Sequence, residues 1–281
     1  MPKDTPEMNR RTKLLTCALA LCLAAAAQGA AAAARQSDRP AAAAQTPAST
    51  SPAAQPGTPT AAARAFYTAL REGRFREALT MSVYRPAVEG LSAEELEDLR
   101  PDFARLATLV PADFDFTGEQ VSGDEATVFM KSGEERDVKV EPVYLLRGPG
   151  GAWIVGDRDS AAEVKKQGKK FFFEQRIAAH ESEAEDMLKR IQAAQLAYAL
   201  QNSGRYADLN TLVRAGYVPQ DILGTETTGY RFTVSAAPDA KSYTARAEPA
   251  RYGRSGRLSF YMDGSGIRKK DAGGKPLSSS K

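Results

Sequence analysis

The chain has 281 residues, of which 42% are hydrophobic and 26% charged, and its net charge is +3. This size allows one or two globular domains and excludes both a polytopic membrane protein and a wholly disordered chain. Two cysteines and one histidine leave too few ligands for a zinc cluster or a disulfide framework. Without a phosphate loop, dinucleotide fingerprint or nucleophile elbow, we expect no metal, no cofactor and no catalytic residue.

The first 34 residues have the pattern of an export signal. Their basic start contains Lys3, Arg10, Arg11 and Lys13. An uncharged apolar run follows at 14–34, with small residues in its second half that favour cleavage by signal peptidase. The run is also long enough to be retained as a membrane anchor, and Cys17 or Cys22 could carry a lipid. Each alternative predicts an exported protein, in the periplasm or on the outer face of the cytoplasmic membrane.

Composition and charge divide the rest of the chain. Residues 35–60 are rich in Ala, Pro, Ser and Thr, which predicts a disordered linker, and 273–281 predict a disordered tail. The block 61–160 has 12 basic and 19 acidic residues, whereas 161–281 has 20 basic and 13 acidic residues. We therefore expect two domains of opposite charge, at 61–159 and 160–272.

The first domain changes from helical to strand periodicity along its length. Helices are predicted over 61–71 and 75–81, and Ser92 with Glu95 forms a capping box that opens a third helix, kinked or divided at Pro101. Antiparallel strands are predicted by five groups: Phe114 and Phe116; Ala126, Val128 and Met130; Val138 and Val140; Val143 and Leu145; Trp153 and Val155. The glycine-rich segment 147–151 predicts a tight turn before the last strand.

The order of these elements resembles the nuclear transport factor 2-like superfamily, in the form of small exported bacterial proteins. The matching segments within 61–158 are Ala63–Leu70, Gly73–Ala78, Gly123–Val128 and Gly151–Val155. The resemblance implies a cone of helices and a curled antiparallel sheet, a fold that hosts enzymes and binding modules alike. The pocket of such a cone would be lined by Phe66, Tyr67, Phe116, Tyr144 and Trp153.

Enzymes that this family contains place an acid or a histidine beside a tyrosine inside the cone. The block 61–160 has no histidine, and its remaining candidates are Tyr67, Tyr84, Asp113, Asp115 and Tyr144. Their spacing gives no sign that a carboxylate meets a tyrosine in a dry pocket, as a general base requires. We therefore expect no catalysis here.

The second domain begins with helical periodicity. Ser160 and Glu163 predict a second capping box, opening a charged helix that continues to about Leu200 and ends at 202–204. Three alternating strands follow at 230–234, 243–247 and 258–262, and a turn at 263–266 leads back to Ile267. The whole chain is thus predicted to be α+β, with a long helix packed on an antiparallel meander in its second half.

This second pattern resembles the globular half of type IV pilins and type II secretion pseudopilins over about 174–272. The matching segments are Glu183–Tyr198, Gly204–Leu209, Gly229–Phe232, Ala247–Pro249 and Gly256–Arg268. Pilins resemble one another in an apolar helix that runs directly into this domain, whereas the charged stretch 164–188 cannot span a membrane. That departure argues against ordinary assembly into a pilus.

Basic residues cluster at both ends of the second block. They are Lys165, Lys166, Lys169, Lys170, Arg251, Arg254 and Arg257. They predict either a surface for an acidic partner or an anionic lipid, or a solvated face with Phe171–Phe173 packed against the first domain. His180 is expected at the surface without a role, and an exported chain is not expected to bind nucleic acid.

The sequence therefore predicts a non-enzymatic envelope protein that serves as a protein-interaction or structural module, with an envelope protein as its partner. A small-ligand binding protein that uses the cone pocket is the alternative. An isomerase or hydrolase in the same cone is the third hypothesis.

Overall fold

The computed structural model describes residues 57–133, 138–225 and 228–278. The predictions for the export signal, for most of the linker and for the last three residues lie outside this part of the chain. The structure combines helices with antiparallel sheets, which confirms the α+β class, and it forms two compact units that meet in sequence at Phe171 and Phe172. Among the described helices, none has the length and hydrophobicity that a membrane span requires.

The described part of the first unit, residues 57–133 and 138–171, contains five α-helices. They are α1 (Pro59–Arg71), α2 (Phe75–Thr80), α3 (Arg85–Glu89), α4 (Ala93–Ala107) and α5 (Arg158–Gln167). The predicted capping box opens α4: Ser92 Oγ accepts from the Glu95 amide, and the Glu95 carboxylate accepts from the Ser92 amide. Pro101 lies inside α4 without dividing it, so of the two predicted alternatives, a kink or a division, the division is wrong.

The sheet of the first unit has four antiparallel strands in sequence order. They are β1 (Asp115–Ser122), β2 (Glu125–Ser132), β3 (Lys139–Arg147) and β4 (Trp153–Val155). The sequence predicted two strands where β3 is one. Val140 and Val143 therefore lie on opposite faces, because successive side chains of a strand alternate between faces. The predicted turn is present, and the Gly148 amide donates to the Ala152 carbonyl at 2.7 Å.

Helix α1 packs on one face of this sheet and contacts all four strands. The core that they form contains the buried side chains of Ala63, Phe66, Ala69, Leu70, Phe116, Val128, Met130, Val143, Leu145, Trp153 and Val155. The free side of β4 is covered by the segment after α2. There the Val83 amide donates to the Val155 carbonyl at 2.9 Å, and the Val155 amide donates to the Met81 carbonyl at 3.0 Å. The sheet therefore has one closed edge, at β4.

The connection after the sheet differs from the prediction. Asp157, not Ser160, caps the helix: its carboxylate accepts from the Ser160 amide at 2.7 Å, so α5 begins at Arg158. The helix ends at Gln167 with Gly168 as its C-cap, and a 3-10 turn over Gly168–Lys170 separates it from the next helix. Helix α5 contacts α3, so the boundary between the units lies at 171–172 rather than at 159–160.

The second unit has a long helix followed by a four-stranded antiparallel meander. Its elements are α6 (Phe171–Gln201), α7 (Leu209–Arg214), β5 (Tyr230–Ala236), β6 (Tyr243–Pro249), β7 (Leu258–Asp263) and β8 (Gly266–Asp271). One face of α6 packs on the sheet, and Leu188, Ile191, Phe232, Ala245 and Phe260 share the resulting core. The predicted strands and the turn at 263–266 are present, since Asp263 pairs with Gly266.

Polar side chains of α6 bind the loop between β6 and β7. Glu174 forms a bidentate ion pair with Arg257, with both distances at 2.7 Å. The Glu181 carboxylate accepts from the backbone amides of Arg257 and Leu258. His180 is only 7% exposed, with Nδ1 at 3.1 Å from the Ser255 carbonyl oxygen. The expectation of a surface histidine is thus wrong, because the loop and the start of the sheet cover the ring.

A steric prediction follows from this burial. Gly229 has a φ of +66°, and a Cβ built on it would lie 2.7 Å from His180 Cε1, whereas Gly216, with a φ of +76°, has open space around it. We expect Gly229→Ala to lower the free energy of unfolding by about 3 kcal/mol, through the left-handed backbone and overpacking together. Gly216→Ala should lower the free energy of unfolding by about 1 kcal/mol, because only the left-handed backbone conformation is unfavourable there.

Denaturant unfolding of the second unit in both variants measures this difference. Combining Gly229→Ala with His180→Ala should recover part of the loss. Equal costs for the two glycine substitutions would show that the His180 ring exerts no steric constraint.

Candidate binding surfaces

Three of the aromatic residues predicted for a pocket pack together in the first unit. The Tyr67 ring lies 5.1 Å from Phe66 and 6.3 Å from Phe116, measured between centroids. Phe114 joins them at 5.7 Å from Phe116, and Phe116 is only 3% exposed. These rings fill space between α1 and the first half of the sheet.

The other two predicted pocket residues lie on different faces of the sheet. Trp153 is buried on the side of α1, with the Arg147 guanidinium 4.3 Å above its ring. Tyr144 follows the buried Val143 and is 47% exposed, so it points to the opposite face. The five predicted residues are therefore not brought to one site.

The acids considered for catalysis lie in solvated surroundings. Asp115 forms an ion pair with Arg64 at 2.7 Å and is half exposed, and Asp113 is exposed. The Tyr84 ring packs at 5.4 Å from Phe171, the last residue of the first unit. A solvated carboxylate beside an arginine lacks the dry surroundings that a general base requires.

The face of the first sheet that points away from α1 carries an apolar patch. We call it the outer sheet face; it consists of Phe129, Val140, Pro142, Tyr144, Leu146 and Ile154. The pairs Phe129–Pro142 and Leu146–Ile154 are direct cross-strand neighbours, so the patch is continuous across β2, β3 and β4. Val140 is 53% exposed. Lys131, opposite Val140, and Glu125, opposite Leu146, place charges at its ends.

The predicted basic residues are distributed over both units. Lys165, Lys166, Lys169 and Lys170 are exposed at the end of the first unit. In the second unit Arg251 is exposed, Arg254 lies 4.3 Å above the Phe173 ring, and Arg257 is paired with Glu174. Arg254 and Arg257 are therefore engaged within their own unit.

A groove of about 730 Å³ lies in the second unit, at the end of α6. It is lined by Tyr198, Gln201, Asn202, Ser203, Arg205, Tyr206, Ala207, Asp208, Thr211, Val234, Ser235, Ala236 and Ala240. Sequence reasoning missed it, although its components were visible: a helix that stops at Asn202, then a tyrosine and an acid before the next helix. Only the fold brings that segment beside the end of β5.

Two anchors position the wall of the groove. The buried Gln195 side chain donates to the Ala207 carbonyl at 2.6 Å and accepts from the Ala207 amide at 3.0 Å. The Tyr206 amide donates to the Ala240 carbonyl, and its ring lies 5.0 Å from Tyr243. Asp208 caps α7 by accepting from the Thr211 amide at 2.8 Å. These hydrogen bonds to Thr211 lower the pKa of the Asp208 carboxyl below its ordinary value of 3.8.

Metal binding finds no support in the part of the chain that the structure describes, since no three His, Cys, Asp or Glu side chains there converge. Comparison with protein-family models, curated proteins and solved structures gives no match for this chain. Its function is therefore inferred from its own surfaces.

The cap at Asp208 gives a pH-dependent prediction. Because the folded-state pKa is lowered, the charged cap stabilises the fold above pH 3.8 and its contribution is lost as the pH falls through that lower value. Asp208→Ala should lower the free energy of unfolding by about 1 kcal/mol at pH 7, because the helix loses its cap. Asp208→Asn, which keeps a capping oxygen, should cost less.

Urea unfolding of both variants and the parent chain between pH 2.5 and pH 7 tests this. The difference in the free energy of unfolding between the parent chain and Asp208→Asn should become smaller below pH 4. A difference that is constant across that range would contradict a charged cap.

Proposed function

We propose that this chain is a non-enzymatic protein of the cell envelope that binds a protein partner through the outer sheet face of its first unit. One observation carries the proposal: a continuous apolar patch on a paired sheet stays exposed at Val140 and Tyr144. Soluble proteins rarely leave such patches uncovered unless the patch binds something.

The chemistry of the patch fits a protein surface. Its centre is aliphatic and aromatic without charge, and charged groups stand at its ends: Lys131 at one, and Glu125, which is ion-paired with Arg158, at the other. Protein interfaces have this arrangement, with an apolar centre depleted in charge and a polar rim. An anionic membrane would instead favour a surface of one positive sign, as the exposed lysines of α5 and the following turn would give.

The architecture and location belong to the same proposal. Helices followed by a four-stranded sheet at 61–158 support the resemblance to the nuclear transport factor 2-like cone, and a long helix before a meander at 174–272 supports the pilin-like resemblance. The basic start and apolar run at 1–34 support export to the periplasm or the outer face of the cytoplasmic membrane. Small-ligand binding in the cone stays an alternative prediction.

Site-specific photo-crosslinking tests the interaction in the native host. The full chain would carry a benzophenone amino acid at Tyr144 or, as a control, at Glu94, which is exposed on α4. We expect irradiation to give a discrete heavier product from position 144 and none from position 94. Val140→Asp should reduce that product at least tenfold, because it places an unpaired charge in the apolar centre.

Unchanged thermal unfolding of Val140→Asp would show that the loss is not due to misfolding, since Val140 is already exposed. Equal products from both positions, or none from position 144, would reject the proposal. A product of twice the chain's mass would assign the face to a second copy instead of an envelope partner.

A further inference from the structure

Strand β5 forms one edge of the second sheet, whose order is β5–β6–β7–β8. The direction of its backbone groups follows from the register. The Ala250 amide donates to the Gly229 carbonyl at 2.9 Å, and the Ala237 amide donates to the Ser242 carbonyl at 2.9 Å. Because hydrogen-bonded pairs alternate along an antiparallel ladder, the odd-numbered residues of β5 are the ones whose backbone groups bond to β6. Pro249, which has no amide hydrogen, accordingly stands opposite the even-numbered Tyr230. The amides and carbonyls of the even-numbered residues therefore point away from the sheet.

At the start of β5 these outward groups are satisfied internally. The hydroxyl of the buried Thr228 accepts from the Tyr230 amide at 3.2 Å and lies 3.1 Å from the Tyr230 carbonyl oxygen, to which it can donate. The end of β5 lacks such a cap. Among the described residues, none bonds to the outward groups of Val234 or Ala236.

Val234 and Ala236 border the groove at the end of α6, and Tyr206, Asp208 and Thr211 form its other wall. The groove volume of about 730 Å³ is within the range of ligand sites. A row of backbone donors and acceptors along one wall is matched best by another extended backbone, about 4.8 Å away.

We propose that this groove binds an extended peptide segment of a protein partner, which adds as a further strand to the end of β5. Main-chain hydrogen bonds to Val234 and Ala236 would hold the segment, and the rings of Tyr198 and Tyr206 would contact its side chains. Arg205 and Asp208 contribute opposite charges, so the segment is recognised by its extended shape rather than by strong charge. This site is independent of the outer sheet face.

The test uses the full chain and a displayed pool of random twelve-residue peptides. Enriched peptides would be synthesised, labelled and titrated against the parent chain, Ala236→Pro and Ala236→Ser. Proline removes the outward amide hydrogen at a position where an edge strand tolerates it, while serine keeps the amide. We expect Ala236→Pro to weaken binding at least tenfold and Ala236→Ser to change it less than twofold.

Residue-resolved amide exchange on the parent chain supplies a second measurement that depends on no variant. Bound peptide should slow exchange at Val234 and Ala236, whereas Arg231 and Thr233, already bonded to β6, should not change. Failure to enrich any peptide, equal affinity for Ala236→Pro, or protection away from the groove would overturn the proposal. Protection that grows with chain concentration alone would assign the edge to a second copy and would overturn it as well.

Discussion

The second unit depends on one buried amide. Gln195 is fully buried in the apolar face of α6, where an unsatisfied side-chain amide would be costly. Both of its polar atoms are bonded to the backbone of Ala207, so the chain that leaves the helix must return to this residue. That return fixes the start of α7 and the wall opposite β5. A single glutamine thus sets where the groove opens.

Helix α6 is held to its sheet in two chemically different ways. In the middle, aliphatic side chains such as Leu188 and Ile191 provide the burial that favours packing. Towards its two ends, polar groups fix the direction of the backbone: Glu181 binds the start of β7, and Gln195 binds Ala207. Apolar contacts alone tolerate sliding, whereas these hydrogen bonds allow one register.

The features that could be predicted from the sequence are those that depend on residues close together in the chain. The capping box at Ser92 and the hairpin at 263–266 depend on a few neighbouring residues, and both are present. Ser160 was mistaken for a cap because Asp157, three residues earlier, competes for the same role and caps the helix. The burial of His180 and the groove beside β5 depend on contacts between segments that are distant in the sequence. Local periodicity cannot predict such contacts. The separation of Tyr144 from Trp153 follows from strand parity, because Tyr144 alternates with the buried Val143 and Leu145. The joining of two predicted strands instead places Val140 on the face opposite Val143.

The closed edge of the first sheet also limits how copies of this chain can associate through that sheet. Sheets become fibres when each new strand pair leaves another free edge for the next copy. Here the segment around Val83 occupies the edge at β4, so only the β1 side can accept a strand. Pairing through the β1 side joins the sheets of two copies, and no further copy can add because the other edge of each sheet is covered. At high local concentration, this sheet would end such growth at a pair of copies instead of propagating it.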